Sequence, residues 1–258
     1  MTEAPGTSRL RGTTVLVAGA TSAAGVAAAH ALHDAGATVL AVGTDAGRLD
    51  GRLPFTAGRL VCDLADPPAV SRLAEDVHAT HGRIDGLVHL VGGWRGGKGI
   101  AGQSDGDWDF LHRNVLTTLR NTSRAFYDDL AHSPRGRLAI VSATAVDRPT
   151  ASGANYATAK AAAEAWTRAV AAGFNAAQAG KSAEPVPQHS AAAAFVIKAF
   201  VDEAARREEP DKTFDGFTDV ADFGTAVVGL FEADAALVNG ARLSLVPEES
   251  PTVPHAEN

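Results

Sequence analysis

The chain has 258 residues, 45% of them hydrophobic and 21% charged, with a formal net charge of −7 at pH 7. Apolar material is ample for a core, and no basic run exceeds Arg206–Arg207, so the composition argues against a nucleic-acid partner. The lone Cys62 excludes an intrachain disulfide, Met1–Arg11 holds no apolar signal core and no run reaches bilayer length, which together point to a soluble, cytoplasmic protein.

After the polar segment Met1–Arg11, expected to be flexible, short β-type runs alternate with Ala-rich helical stretches. Strands are predicted at Thr14–Ala18, Thr38–Val42, Arg59–Cys62, Leu87–Val91, Arg137–Val141, Ala192–Ile197 and Arg242–Val246. These runs are nearly all apolar, as parallel strands covered on both faces are. Helices are predicted at Ala23–Ala35, Pro67–Thr80, Asp107–Ala131, Ser152–Ala179 and Val220–Glu232, with Asp66 capping the second and Pro67 in its first position. The alternation implies an α/β fold: a Rossmann-type, doubly wound parallel sheet of about seven strands. It spans residues 12–247 as one domain, followed by a C-terminal tail over Glu248–Asn258.

The first strand runs into Ala18-Gly19-Ala20-Thr21-Ser22-Ala23-Ala24-Gly25 where a helix begins. Such a turn aims backbone N–H groups and a helix N-terminus at a pyrophosphate, although any tight strand-to-helix turn carries glycines too. Ala23 places a methyl where glycine is common; it crowds a phosphate, or is harmless if its φ is negative. Asp63, followed by Leu64, is either a contact for the adenine end of a dinucleotide or a plain loop-starting acid. The second strand ends in Gly43-Thr44-Asp45 with Arg48 nearby; with no acid at position 43, the pattern leaves room for a 2′-phosphate and leans to NADP(H).

The sharpest local pattern is Asn155-Tyr156-Ala157-Thr158-Ala159-Lys160, which sets a phenol and an ammonium on one helix face. A nearby cation favours phenolate over phenol, so Tyr156 is a candidate general acid or base. Taken alone, the spacing is most often a solvated pair. His78 with His81, and His30 with His33, have helical spacing but no third ligand nearby, and read as surface histidines rather than a metal site.

Taken in order, these landmarks resemble the short-chain dehydrogenase/reductase family from about Gly12 to Pro247. After the glycine turn and Asp63-Leu64, the match continues with Asp85 through Val91-Gly92 and with Trp108 through Asn114-Val115. It then takes in Gly136 through Ser142, Gly153 through Lys160, Phe217–Ala226 and Asn239-Gly240. The resemblance implies an NAD(P)-dependent carbonyl reductase. Tyr156 would exchange the proton with the substrate oxygen, and Lys160 would hold the nicotinamide ribose and lower the tyrosine pKa. Asn114 would anchor a water in a proton relay, and a serine near Ser142 would orient the carbonyl. Gly19, Thr21, Ser22, Ala23, Ala24 and Gly25 would bind the dinucleotide, with Gly43, Thr44, Asp63, Leu64, Val91 and Gly92 completing its site. The family also implies a homodimer or homotetramer assembled through the two long helices.

Four departures from that pattern matter. The family serine lies 13 residues before the tyrosine, where this chain has Ala143, and Ser142 reaches the site only if a bulge turns it. Ala23 replaces a glycine, His89-Leu90-Val91-Gly92 keeps only the last residue of an Asn-Asn-Ala-Gly motif, and the sixth strand runs Ala194-Phe195-Val196-Ile197-Lys198-Ala199 where the family places Pro-Gly. His89 reads as a buried structural histidine in preference to a proton donor. The Gly92–Gly102 stretch is a substrate-covering loop or a plain connection, and Phe200, Phe214 and Phe217 line an apolar pocket or belong to the core. Three readings follow: an oxidoreductase acting on a ketone or secondary alcohol, moderately hydrophobic as in lipid or polyketide-like metabolism; a non-catalytic nucleotide-binding or interaction protein on the same scaffold; and a stand-alone assembly subunit.

Overall fold

The computed structural model describes residues 9–247. In chain order its elements begin with β1 (Thr14–Ala18), α1 (Ala23–Asp34), β2 (Thr38–Gly43), α2 (Ala46–Arg52), β3 (Gly58–Val61), α3 (Pro67–His81) and β4 (Gly86–His89). There follow α4 (Asp105–Leu111), α5 (Thr118–Ala125), α6 (Tyr127–His132), β5 (Arg137–Ala143), α7 (Ala154–Asn175) and β6 (Ala191–Ile197). The chain then forms β7 (Phe200–Val201), α8 (Glu203–Glu208), β8 (Thr218–Asp219), α9 (Val220–Glu232), α10 (Ala235–Val238) and β9 (Arg242–Ser244).

All seven predicted strands join one parallel sheet in the order β3-β2-β1-β4-β5-β6-β9. The unbroken apolar runs are explained by burial on both faces. In β1, Leu16 and Ala18 pack with Leu40, Val42, Leu119 and Phe174 on one side, while Val15 and Val17 pack with Val39, Leu32, Phe223 and Val227 on the other. Each buried Val, Leu or Phe of this set stabilises the fold by about 1.5–3 kcal/mol.

The predicted helix Asp107–Ala131 is broken. Ser104 caps α4, a π-helical turn over His112–Thr117 follows, and the path bends again at Phe126 between α5 and α6. The cause is local: Asn114 Nδ2 donates to the Phe110 carbonyl, Thr118 Oγ1 to the Asn114 carbonyl and Thr122 Oγ1 to the Thr118 carbonyl, pulling the ladder out of α-register. The predicted Ser152–Ala179 helix likewise divides into a 3-10 turn, α7 and a closing π turn. Asp66 sits in the cap position of α3 without a side-chain cap bond. Leu10 is fully buried and donates its N–H to the Ala35 carbonyl, and Arg9 pairs with Glu232 at 3.1 Å, so residues 9–11 are tied down where flexibility was expected. The expected tail over Glu248–Asn258 lies outside the described residues.

Candidate active site

β1, β4, β5 and β6 end at one carboxyl edge, and the glycine turn opens there. Gly19 has φ +77°, and a Cβ on it would lie 3.0 Å from both the Leu90 carbonyl carbon and the Val91 nitrogen. A Cβ on Gly25 would sit 2.5 Å from the Gly19 oxygen, so the turn exists only with glycine at both places. Ser22 caps α1 by accepting from the Gly25 N–H at 3.0 Å, and Ala24 is buried beside it. Ala23 begins the helix and has no positive φ, which resolves its methyl as harmless to the turn.

The second strand's end is built for a cation-rich corner. Gly43 and Thr44 lead to Asp45, whose carboxylate accepts from the Arg48 N–H at 2.8 Å as the cap of α2 and is thereby occupied. The guanidinium groups of Arg52 and Arg48 both reach the Thr21 carbonyl, at 2.9 and 3.5 Å. Arg52, one turn beyond Arg48 on α2, went unnoticed in the sequence because that helix was not predicted. Asp63 accepts from Arg113 at 2.6 Å and from the Ala65 N–H at 2.9 Å, which is the loop-starting reading, while Leu64 is buried and its carbonyl accepts from Asn121. These residues fit a dinucleotide: a tight glycine turn, a 12-residue helix presenting its N-terminus and two cations beside the turn.

Tyr156 and Lys160 lie on the first turns of α7, as predicted. Lys160 is buried, its Nζ donates to the Val141 carbonyl at 2.7 Å, and its ammonium stands 5.8 Å from the Tyr156 ring centre. A Cβ on Gly92 would come within 3.8 Å of Nζ, so the Val91-Gly92 end of the β4 loop borders the lysine. Burial lowers the Lys160 pKa to about 8, against the opposing pull of Glu164. Burial raises the Tyr156 pKa, while the Lys160 ammonium donates to the Val141 carbonyl. Tyr156 is therefore held as a neutral acid.

Asn114 falls inside the π turn, a distortion common at functional sites. Its carbonyl accepts from Thr118 Oγ1 at 2.6 Å, and Thr118 in turn lies 3.1 Å from Nε2 of His89. With the Thr118 proton on Asn114, His89 carries its own proton on Nε2 and leaves Nδ1 buried without a partner. Burial, then the Lys160 charge, push the His89 pKa down to about 3, so the ring is a neutral structural member of this chain of hydroxyl, carbonyl and imidazole groups.

Ser142 does not reach the site. It faces α7, where its Oγ donates to Glu164 Oε1 at 2.5 Å, and both residues are at most 3% exposed. The strand runs to Ala143 without a bulge that would exchange the two faces, so Ala143 and not Ser142 stands beside Tyr156. Glu164, which also receives Arg242 Nε at 3.0 Å, was missed, although its position four residues after Lys160 on the same face signalled it.

A cavity of about 320 Å³ opens over Tyr156, bounded by Trp94, Gly97, Ala143, Thr144 and Ser152. The Gly92–Gly102 stretch forms its outer wall: the Gly97 N–H donates to the Ser152 carbonyl at 2.7 Å, and Gln103 Nε2 donates to the Ala151 carbonyl at 3.0 Å. Phe200 packs edge-on against Phe223, and Phe214 against Phe217, so the three phenylalanines belong to packing and not to this cavity. The His30 and His33 rings pack at a tilt against Phe55, and His78 lies 2.8 Å from Asp129. Among the described residues no three metal-ligating side chains gather, and no helix is long and apolar enough to cross a membrane.

Residues 13–178 match a family described as short chain dehydrogenase. Among curated proteins, the chain is 29% identical over 164 residues to the peroxisomal multifunctional enzyme type 2 of Mus musculus, covering 59% of this chain and 22% of that one. It is 27% identical over 153 residues to the 3-oxoacyl-(acyl-carrier-protein) reductase FabG of Salmonella typhimurium, covering 58% of this chain and 62% of that one. The aligned part thus spans less than two thirds of each relative. Among solved structures, the fold is similar to an NADPH-bound short chain oxidoreductase of Pseudomonas aeruginosa PAO1 described as containing an atypical catalytic center. The TM-score is 0.78 with 19% identity, over 96% of this chain and 100% of that one. With the family matched over more than half its length and the Tyr-Lys helix at the carboxyl edge of a doubly wound sheet, this chain belongs to the short chain dehydrogenase family of hydride-transferring oxidoreductases.

Proposed function

We propose that the chain is a cytoplasmic, NADP(H)-linked carbonyl reductase acting on a small ketone, or on the secondary alcohol in reverse. The observation that carries this reading is Tyr156 lining a cavity at the sheet's carboxyl edge with the buried Lys160 ammonium one turn further along its helix. The bound nicotinamide supplies the hydride for the carbonyl carbon. Tyr156, kept protonated by burial, gives its proton to the carbonyl oxygen. Lys160 then stabilises the phenolate left behind, and Asn114, through its place in the π turn, orders the polar chain behind the lysine. The proton and the hydride together convert C=O to CH–OH, so charge and atoms balance. Arg48 and Arg52 beside Thr21, with no acid at position 43 and Asp45 consumed as a cap, favour a 2′-phosphate. The NADPH-bound fold relative is consistent with this choice. Assembly into a homodimer or homotetramer through the α4–α6 and α7 region belongs to the same proposal.

The second reading, a non-catalytic scaffold, is favoured by Ala143 at the place of the family serine. One experiment separates the two. NADPH oxidation on a ketone panel is expected from the native protein and is expected to fall at least about a hundredfold in Tyr156→Phe, the usual weight of a positioned proton donor. Equal activity in both proteins, or none in either with NADPH bound, removes the enzymatic reading. An Arg48→Ala, Arg52→Ala variant tests the cofactor: its affinity for NADPH, measured by fluorescence titration, drops at least tenfold more than its affinity for NADH.

A further inference from the structure

Lys198 follows the last residue of β6, and the pairing of Ile197 with Ala143 sets it beside Thr144 at the mouth of the Tyr156 cavity. Among the described residues lining that cavity it is the one that carries a charge. Its side chain is held in place. Nζ donates to the Asp215 carbonyl at 2.7 Å and stands 5.5 Å from the centre of the Phe217 ring. Gly216, at φ +72°, lets the backbone close onto the stem: a Cβ there would be 3.3 Å from Lys198 Cδ. The Asp215 side chain is otherwise engaged, its Oδ2 accepting from Thr213 Oγ1 at 2.7 Å. None of the ion pairs among the described residues includes Lys198. An ammonium has three donors and the Asp215 carbonyl takes one, which leaves two for a ligand.

Resting on the reductase reading above, we infer that the substrate is a small ketone bearing a carboxylate, which the Lys198 ammonium pairs with while Tyr156 addresses the carbonyl oxygen. A cavity of about 320 Å³ suits a compact keto acid better than a long acyl chain, and the remaining lining hydroxyls, Thr144, Thr150 and Ser152, are neutral donors for the same ligand. This replaces the lipid-like substrate expected from the sequence with a short, charged one.

The test compares 4-oxopentanoate with its methyl ester. In Lys198→Met, which keeps the stem and removes the charge, the acid-to-ester ratio of kcat/KM falls about ten- to a hundredfold, chiefly through KM for the acid, and Lys198→Arg restores most of it. Equal losses for acid and ester overturn the inference and leave the reductase reading standing. Binding supplies a readout that does not need turnover. Trp94 lines the same cavity and is 68% exposed, so 4-oxopentanoate titration monitored by its fluorescence in a Trp108→Phe, Trp166→Phe background reports occupancy. Saturable quenching by the acid but not the ester, lost in Lys198→Met, supports the anion site even if no ketone is reduced. No quenching by the acid, or quenching unaffected by Lys198→Met, refutes it.

Discussion

Adjacent residues of β5 carry opposite assignments. Ser142 holds the buried Glu164, while Ala143 presents a methyl to the cavity. Ser142→Ala is therefore expected to cost about 1–2 kcal/mol in denaturant unfolding, by leaving a buried carboxylate short of a donor, with turnover per folded molecule preserved. Ala143→Ser places a second hydroxyl beside Tyr156 and is expected to raise kcat on any ketone the native protein reduces. His89 carries a pH signature. The unfolded chain takes up its proton below about pH 6.5, whereas the buried ring does so only near 3. Stability contributed by the neutral ring thus declines as pH falls through that window, by about 2 kcal/mol at pH 5, and a His89→Asn protein shows a shallower decline between pH 7 and 5. Lys160 acts on activity instead. Its pKa near 8 places an alkaline limb there in the kcat/KM profile, and Glu164→Gln, removing the charge that holds it up, moves that limb to lower pH.

Helix termini and turns divide into those whose chemistry is used and those that only look usable. Gly25 leaves 2.5 Å between a prospective Cβ and the Gly19 oxygen, whereas at Gly43 the nearest atom is the Leu49 side chain at 3.4 Å. Gly25→Ala is expected to destabilise the protein by at least about 2 kcal/mol and to abolish dinucleotide binding, while Gly43→Ala costs under about 1 kcal/mol; thermal melts with and without NADPH check both. The caps obey the same logic. Ser104 accepts the Asp107 N–H in α4 and Asp66 accepts nothing in α3, so Ser104→Ala costs about 1 kcal/mol and Asp66→Ala under about 0.5 kcal/mol. The π turn at Asn114 comes from three hydroxyl and amide side chains bonding backward to carbonyls, a conflict between side-chain chemistry and helix register that periodicity alone does not display.

Across the whole molecule, the edge opposite the active site is closed by one cation. Arg137, at the start of β5, is 4% exposed and donates to the carbonyls of Leu230, Gly136, His189 and Ala233, joining the end of α9 to the entry of β6. Burial pulls its pKa down to about 10, yet its partners keep it paired at neutral pH. Arg137→Leu strands four acceptors and is expected to cost about 3–5 kcal/mol, measured by urea unfolding, without moving Tyr156 or its cavity. The functional edge is linked differently. Arg242 of β9 clasps Asp147 and Glu164, so the last strand, the β5 exit and the helix carrying Lys160 form one unit. Arg242→Ala is expected to lower the melting temperature and to move the alkaline limb to higher pH, because the Glu164 charge then acts on Lys160 without a competing cation.

The amino-acid sequence by itself determined the alternating strands and helices, the glycine turn and the Tyr156–Lys160 pair, because these depend on periodicity and spacing over a few residues. Only tertiary structure decided which of Ser142 and Ala143 faces the cavity, since strand parity at a sheet's end depends on where the partner strand and α7 pack. Likewise, Arg52 beside Thr21, Glu164 bound to Ser142 and Arg242, and Lys198 at the cavity of Tyr156 bring together residues 22 or more positions apart in the chain. Burial also reversed the direction expected for the tyrosine pKa. A local sequence records which charges are present, but solvent exclusion sets how those groups titrate.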